Sequence, residues 1–269
     1  MSTHAVLSPS SAHRWTRCYG SIALSEGIED SSSEYADEGT AAHELAAMAL
    51  ANQVDAHAYI GRIITVNGKQ YAVDESMANY VQAYVDNVRG LGGNLLVEQK
   101  LSIEHLTGEA GATGTADSVI ILGDELIIRD LKYGRGVHVD AANNKQLAMY
   151  ASAALREYSL LGDFTKIRVC IDQPRLAHGS EAVYTVEELA AIEKEIQASA
   201  AQVASATKEF AAVGPAMPLD EWAERWCTPS EEGCRWCRAK ATCPALSAHI
   251  QEIVGAEFDV IVEEGVPAI

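Results

Sequence analysis

Three apolar runs stand close together in the middle of the chain: Leu95 to Leu101 (LLVEQKL), Gly114 to Leu122 (GTADSVIIL) and Glu125 to Tyr133 (ELIIRDLKY). Their β-branched content predicts strands, and the Gly123-Asp124 turn predicts that the last two form a hairpin. Helical periodicity brackets them. Ser33 to about Gln53 is alanine-rich with apolar residues at helical spacing, and Asp74 caps an amphipathic segment running to Arg89, ahead of the glycine-rich break at Gly90 to Gly93. Beyond the strands, Ala141 to Leu161 is again helical in pattern and KIRVCIDQP is a strand ended by Pro174. Ala182 to Tyr184 is a short strand candidate, and Thr185-Val-Glu-Glu188 is a capping box opening a long helix to about Ala212. Pro215 and Pro218 break the chain before a Trp- and Cys-rich segment, Trp222 to Pro244, and an acidic tail. This order predicts an α/β core with a mixed sheet and a C-terminal cysteine module.

At 269 residues and 48% hydrophobic, the chain can bury a substantial core. No apolar run approaches the roughly 18 to 20 residues of a membrane span, so no membrane association is expected. The N-terminal MSTHAVLSPSSAHRW lacks the regions of a secretory signal, which predicts a cytoplasmic location and six cysteines kept as thiols or metal ligands. The net charge of −18 argues against a protein that wraps nucleic acid. Between Arg129 and Arg175, however, eight basic residues face five acidic ones, a local excess that permits a phosphate-binding surface there.

Cys234-x2-Cys237-x5-Cys243 places three soft ligands within ten residues, as tetrahedral zinc or an iron-sulfur cluster requires. Two residues compete for the fourth position: Cys227, seven residues before Cys234, and Cys18, which would close across the fold. Cys170, in the apolar IRVCID run, reads as a buried core thiol.

The second constellation is acidic. Asp130 and Lys132 share a strand face at spacing i, i+2, and a hairpin can bring Asp117 beside them. Carboxylates suit magnesium or manganese, and a lysine next to them can orient a water and offset phosphate charge. Alone, Asp-x-Lys also fits an edge-strand ion pair. His43 in EGTAAHELA, and Gln146 and Tyr150 four apart on one helix face, fall in order around it.

Taken together, W-x-x-C-x-x-S, EGT-x-x-H, GTAD, DLKYG, Q-x-x-x-Y and C-x2-C-x5-C, spanning Trp15 to Pro244, resemble the RecB-like branch of the PD-(D/E)XK nuclease superfamily. They are similar in particular to members with a 4Fe-4S cluster, such as the AddB nuclease domain and the CRISPR-associated RecB-like exonucleases, and closest to a phage and prophage family. The resemblance implies a restriction-endonuclease-like core with a mixed sheet flanked by helices, and an iron-sulfur module joining the N- and C-terminal segments. It implies one nuclease domain over 1–269: a helical N-terminal segment (1–92), a catalytic α/β core (93–213), a cysteine module (214–247) and an acidic tail (248–269). By the same resemblance His43, Asp117, Asp130 and the Leu131 carbonyl hold Mg2+ or Mn2+. Asp117, Asp130, Lys132, Gln146 and Tyr150 serve catalysis, and Cys18, Cys234, Cys237 and Cys243 bind the cluster, leaving Cys227 outside. Glu98 is an additional acid candidate beside its reading as a solvated strand-end residue.

The expected activity is metal-dependent hydrolysis of DNA, as an exonuclease on ends or single strands. It would serve phage recombination, replication or processing in the bacterial host cytoplasm, with DNA as substrate and a recombination or replication protein as a candidate partner. A catalytically inactive zinc-bearing adaptor on a nuclease-like fold is the alternative. An electron-transfer protein would want a flavin or nicotinamide fingerprint that the sequence lacks, and an acidic DNA mimic has only the net charge in its favour.

Overall fold

The computed structural model describes residues 5–29, 33–214 and 217–263. They fall into two compact units, Met1–Ser10 with Ser31–Ile196, and Ser11–Asp30 with Gln197–Ile269.

The first unit is α/β. Helix α1 (Glu34–Asn52) starts where the Ser33 side chain accepts a hydrogen bond from the Ala36 amide. A two-stranded hairpin, β1 (Ile63–Val66) and β2 (Lys69–Ala72), follows. Helix α2 (Glu75–Leu91) is capped by Asp74, which accepts from the Met77 amide. Then come β3 (Asn94–Ser102), β4 (Thr113–Leu122), β5 (Glu125–Leu131), α3 (Lys145–Glu157), β6 (Lys166–Gln173), β7 (His178–Tyr184) and α4 (Val186–Phe210). Helix α4 passes from the first unit into the second at Ile196.

The five strands β3 to β7 lie side by side in sequence order. Only β5 and β6 run parallel, and the chain between them carries α3, the crossover that a parallel pair requires. The sheet is therefore mixed. Every residue of β5 is buried, as expected of a central strand covered on both faces. Ala41, Leu45 and Ala49 of α1 and Met77, Val81, Tyr84 and Val88 of α2 pack with Ile120, Ile127, Leu131 and Cys170 of the sheet. Each large side chain buried in this way contributes about 1.5–3 kcal/mol.

Several boundaries differ from the sequence reading. The β1–β2 hairpin was not anticipated, although Asn67-Gly68 is a strong turn signal; both residues have positive φ, 49° and 79°, as a two-residue hairpin turn demands. Strand β7 begins at His178 rather than Ala182, because this edge strand alternates half-buried with exposed positions and its first residues are polar. Helix α3 begins only at Lys145. Asn143 adopts a left-handed φ of 58°, and Asn144 caps the helix by accepting from the Leu147 amide.

The second unit contains short helices Ala12–Trp15 and Ser21–Leu24, the C-terminal end of α4, α5 (Leu219–Trp226), a turn of helix at Glu231–Arg235, and α6 (Pro244–Glu263). Trp222 anchors its core. The indole stacks edge-on against Phe210 with ring centroids 4.7 Å apart and donates to the Ala206 carbonyl. Gly20 packs directly on this tryptophan, where a Cβ would lie 2.8 Å from the indole and 2.6 Å from Cys227 Sγ. The segment read as a tail from 248 is helical to Glu263, while Pro215 and residues 264–269 lie outside the described residues. Among the described residues no helix is long and apolar enough to cross a membrane.

Candidate active site and cysteine site

Strand alternation sets up the acidic centre. On β4, Ser118 points to the face covered by α2, where its hydroxyl meets Tyr84 Oη at 2.8 Å, so Asp117 projects to the opposite face. Asp117 Oδ2 accepts from the Leu131 amide at 2.8 Å, and Oδ1 lies 3.2 Å from His43 Nδ1 of α1. Asp130 and Lys132 share a face at the end of β5, with Lys132 Nζ 2.9 Å from Asp130 Oδ2. Gln146, in the first turn of α3, joins the two. Its Oε1 accepts from Lys132 Nζ at 2.8 Å and its Nε2 donates to Asp130 Oδ1 at 3.1 Å. Asp130, Lys132 and Gln146 thus form one hydrogen-bonded cluster, and His43 with Asp117 a second, anchored to the Leu131 amide between Asp130 and Lys132.

Tyr150, one turn after Gln146, is buried against β4. A Cβ on Gly114 would lie 2.9 Å from Tyr150 Cε1 and 2.8 Å from Pro9 Cγ, which is the physical reason for glycine at the head of GTAD. Glu98 is exposed, as the reading of a solvated residue has it, but lies mid-strand in β3, in the register position facing Asp117, rather than at a strand end. Its φ of 51° is left-handed, a strained conformation for a residue with a Cβ. The Val97 to Ser118 and Gln99 to Ala116 pairings continue on either side, so the strain is confined to the residue beside the site.

Charge in the network is shared unequally. Burial opposes the charge on Asp117, but His43, the Leu131 amide and Lys132 outweigh it and hold this carboxyl below its usual value. Asp130 is pushed up by burial and by the Asp117 charge, against the pull of Lys132. Burial likewise opposes a charged His43, yet the two aspartates raise it. Desolvation, with the Asp117 charge, pushes Glu98 up to about 7. Tyr150 is raised by burial and by Asp130.

Among the described residues no three His, Cys, Asp or Glu side chains already stand in a metal-ligating cluster. In the acidic centre the carboxylates are turned onto His43 and Lys132 instead. The donor set still fits a hard divalent cation. Asp130 Oδ2 is fully buried and, despite its closeness to Lys132, accepts no well-directed hydrogen bond, so a carboxylate oxygen with free acceptor capacity faces the network.

Behind the site, Asp172 of β6 holds Arg129 of β5 in a bidentate pair, with Nε 2.5 Å from Oδ2 and Nη2 2.9 Å from Oδ1. Asn87 of α2 donates to the same carboxylate, and the Lys132 amide donates to the Asp172 carbonyl at 2.8 Å. Sequence reasoning missed this support, because Asp172 and Asn87 belong to no motif. Arg175 stacks over Tyr133 at 4.6 Å and pairs with Glu38, restraining the chain just after Lys132.

In the second unit Cys18, Cys227, Cys234, Cys237 and Cys243 all line one cavity. Cys227 is inside this group. Its thiol hydrogen-bonds to Cys18 and Cys243, which lowers Cys18 to about 7 and Cys243 to about 6 and raises Cys227 itself. Cys18, 209 residues before Cys227 in the chain, therefore reaches the C-terminal thiols within the unit. Ser21 and Arg14 line the same cavity, and Ser21 Oγ and Arg14 Nε are buried with no hydrogen-bond partner. Soft donors with spare hydrogen-bond donors beside them suit a thiolate-bound metal centre. Cys170 is elsewhere, in the core of the first unit beside Glu181, and its thiol is pushed up to about 12 by burial.

The chain belongs to the family described as "Protein of unknown function (DUF2800)", whose model matches residues 4–263.

Proposed function

We propose that this family member is a metal-dependent deoxyribonuclease of the RecB-like, PD-(D/E)XK type, acting as an exonuclease on DNA ends or single strands and carrying a 4Fe-4S cluster on Cys18, Cys234, Cys237 and Cys243. The observation that carries the reading is that β5 and α3 bring Asp130, Lys132 and Gln146 into one hydrogen-bonded cluster with the Asp117 carboxylate of β4 near enough for its charge to act on Asp130, held by the intervening Leu131 amide and with His43 of α1 at its edge. Phage DNA recombination, replication or processing is the proposed setting.

Asp117, Asp130, His43 and the Leu131 carbonyl would hold Mg2+ or Mn2+, which supplies charge neutralisation at the scissile phosphate and an acidified water. Leu131 N–H fixes the Asp117 carboxylate, leaving its other oxygen free to turn from His43. Lys132 holds its ammonium beside Asp130, where it can orient a water and offset charge on the phosphate. Gln146 keeps that ammonium and the Asp130 carboxylate in register. Tyr150 closes the wall behind them and excludes water from the far side.

The self-paired state of the aspartates favours one second reading, a catalytically silent metal-binding adaptor on a nuclease-like fold. The test is cleavage of end-labelled duplex and single-stranded DNA by the purified chain with Mn2+ and with chelator. Chelator-sensitive shortening supports the nuclease. A chain that retains its cysteine-bound metal yet leaves both substrates intact supports the adaptor.

A further inference from the structure

Ser21 is 1% exposed, lines the cysteine cavity, and has a hydroxyl with no hydrogen-bond partner. A buried hydroxyl left unpaired costs about 1–3 kcal/mol, so its retention needs an acceptor that the protein alone does not provide. Serine also stands three residues after Cys18, closing the Trp15-x-x-Cys18-x-x-Ser21 motif, and its amide already donates to the Cys18 carbonyl at 3.1 Å. The backbone turn that presents the Cys18 thiol therefore presents the Ser21 hydroxyl as well. Arg14, one helical turn before Cys18, brings a second unpaired donor, Nε, while its Nη1 donates to the Trp236 carbonyl between Cys234 and Cys237.

A centre held by four thiolates carries net negative charge on its sulfurs whether the metal is a ferrous–ferric cube or zinc. Sulfur in that state accepts hydrogen bonds, and such bonds favour the more negative, reduced form. We infer that Ser21 Oγ–H, supported by Arg14 Nε–H, is a built-in donor to ligand sulfur at the cysteine site, a positioning and tuning residue outside the ligand set. This rests on the proposed metal at Cys18, Cys234, Cys237 and Cys243. Ser21 replaces no ligand, so its removal alters how the centre is held without emptying it.

The experiment compares full-length wild type with Ser21→Ala, each prepared metal-free, zinc-loaded and reconstituted anaerobically with iron and sulfide. Metal and sulfide content, melting temperature and, for the iron form, midpoint potential are read. Ser21→Ala is expected to bind the same amount of metal, to melt no lower than wild type when metal-free, to gain less in melting temperature on loading, and to have a more negative midpoint potential. An equal gain on loading together with an unmoved potential overturns the inference and leaves Ser21 a packing residue. Complete loss of metal from Ser21→Ala also overturns it, because the serine would then be a ligand. Failure of wild type to take up either metal instead defeats the cofactor reading on which the inference stands.

Discussion

Asp172→Ala is expected to be among the most damaging single substitutions in the α/β unit, although Asp172 belongs to none of the motifs. Arg129 and Asp172 are 7% and 3% exposed and share two hydrogen bonds in parallel, with a third from Asn87 to the same carboxylate. Removing the carboxylate leaves the guanidinium buried beside the half-exposed Glu181 alone, whose nearer contact is 3.5 Å. Stranding one partner of such a pair costs about 3–5 kcal/mol, against about 0–1 kcal/mol for a surface pair. Removing both charges should cost far less, so the double substitution Arg129→Met with Asp172→Leu should recover most of the loss. Urea denaturation followed by circular dichroism measures both. A single substitution costing under about 1 kcal/mol, or a double variant less stable than the single one, refutes the view that this buried pair holds β5 to β6 behind the site.

Glu98→Gly should stabilise the chain by about 1 kcal/mol, because glycine accepts the left-handed φ without strain, and should slow DNA cleavage. Denaturation midpoints and rates of the same preparations test the trade, and a destabilised variant would mean that the Glu98 side chain contributes more than its backbone costs. Cys18→Ser should lose the cysteine-bound metal and lower the melting temperature sharply, since the loop it closes onto Cys243 spans most of the chain. Cys227→Ser should keep its iron, as four thiols remain around the cavity, and iron analysis that reverses the two results would make Cys227 the fourth ligand.

Features that depend on local chemistry were readable from the sequence. Asp74 and Thr185 cap helices, Gly123-Asp124 turns between β4 and β5, and the apolar runs of β3 to β6 are strands. The two-residue spacing of Asp130 and Lys132 and the four-residue spacing of Gln146 and Tyr150 placed each pair on one face, because strand and helix periods fix that much without tertiary structure. Contacts made across the fold were out of reach. Nothing local links Asn87 or Asp172 to Arg129, marks Glu98 as strained, or says that Cys227 turns toward Cys18 rather than away. Only Ala182 to Tyr184 of strand β7 was legible, for a related reason: an edge strand with polar residues at its start carries little of the apolar signal that betrays a central one.

The central claim, that Asp130 holds the catalytic metal while Lys132 acts beside it, is tested most directly by measuring Mn2+ binding and DNA cleavage on the same samples of wild type, Asp130→Ala and Lys132→Ala. Electron paramagnetic resonance counts free Mn2+, and gel analysis of end-labelled DNA gives the rate. The expected pattern is loss of both binding and cleavage in Asp130→Ala, but retained binding with cleavage reduced by at least about 100-fold in Lys132→Ala, consistent with about 2.7 kcal/mol of lost transition-state stabilisation. Undiminished cleavage by both folded variants would contradict the assignment of this site.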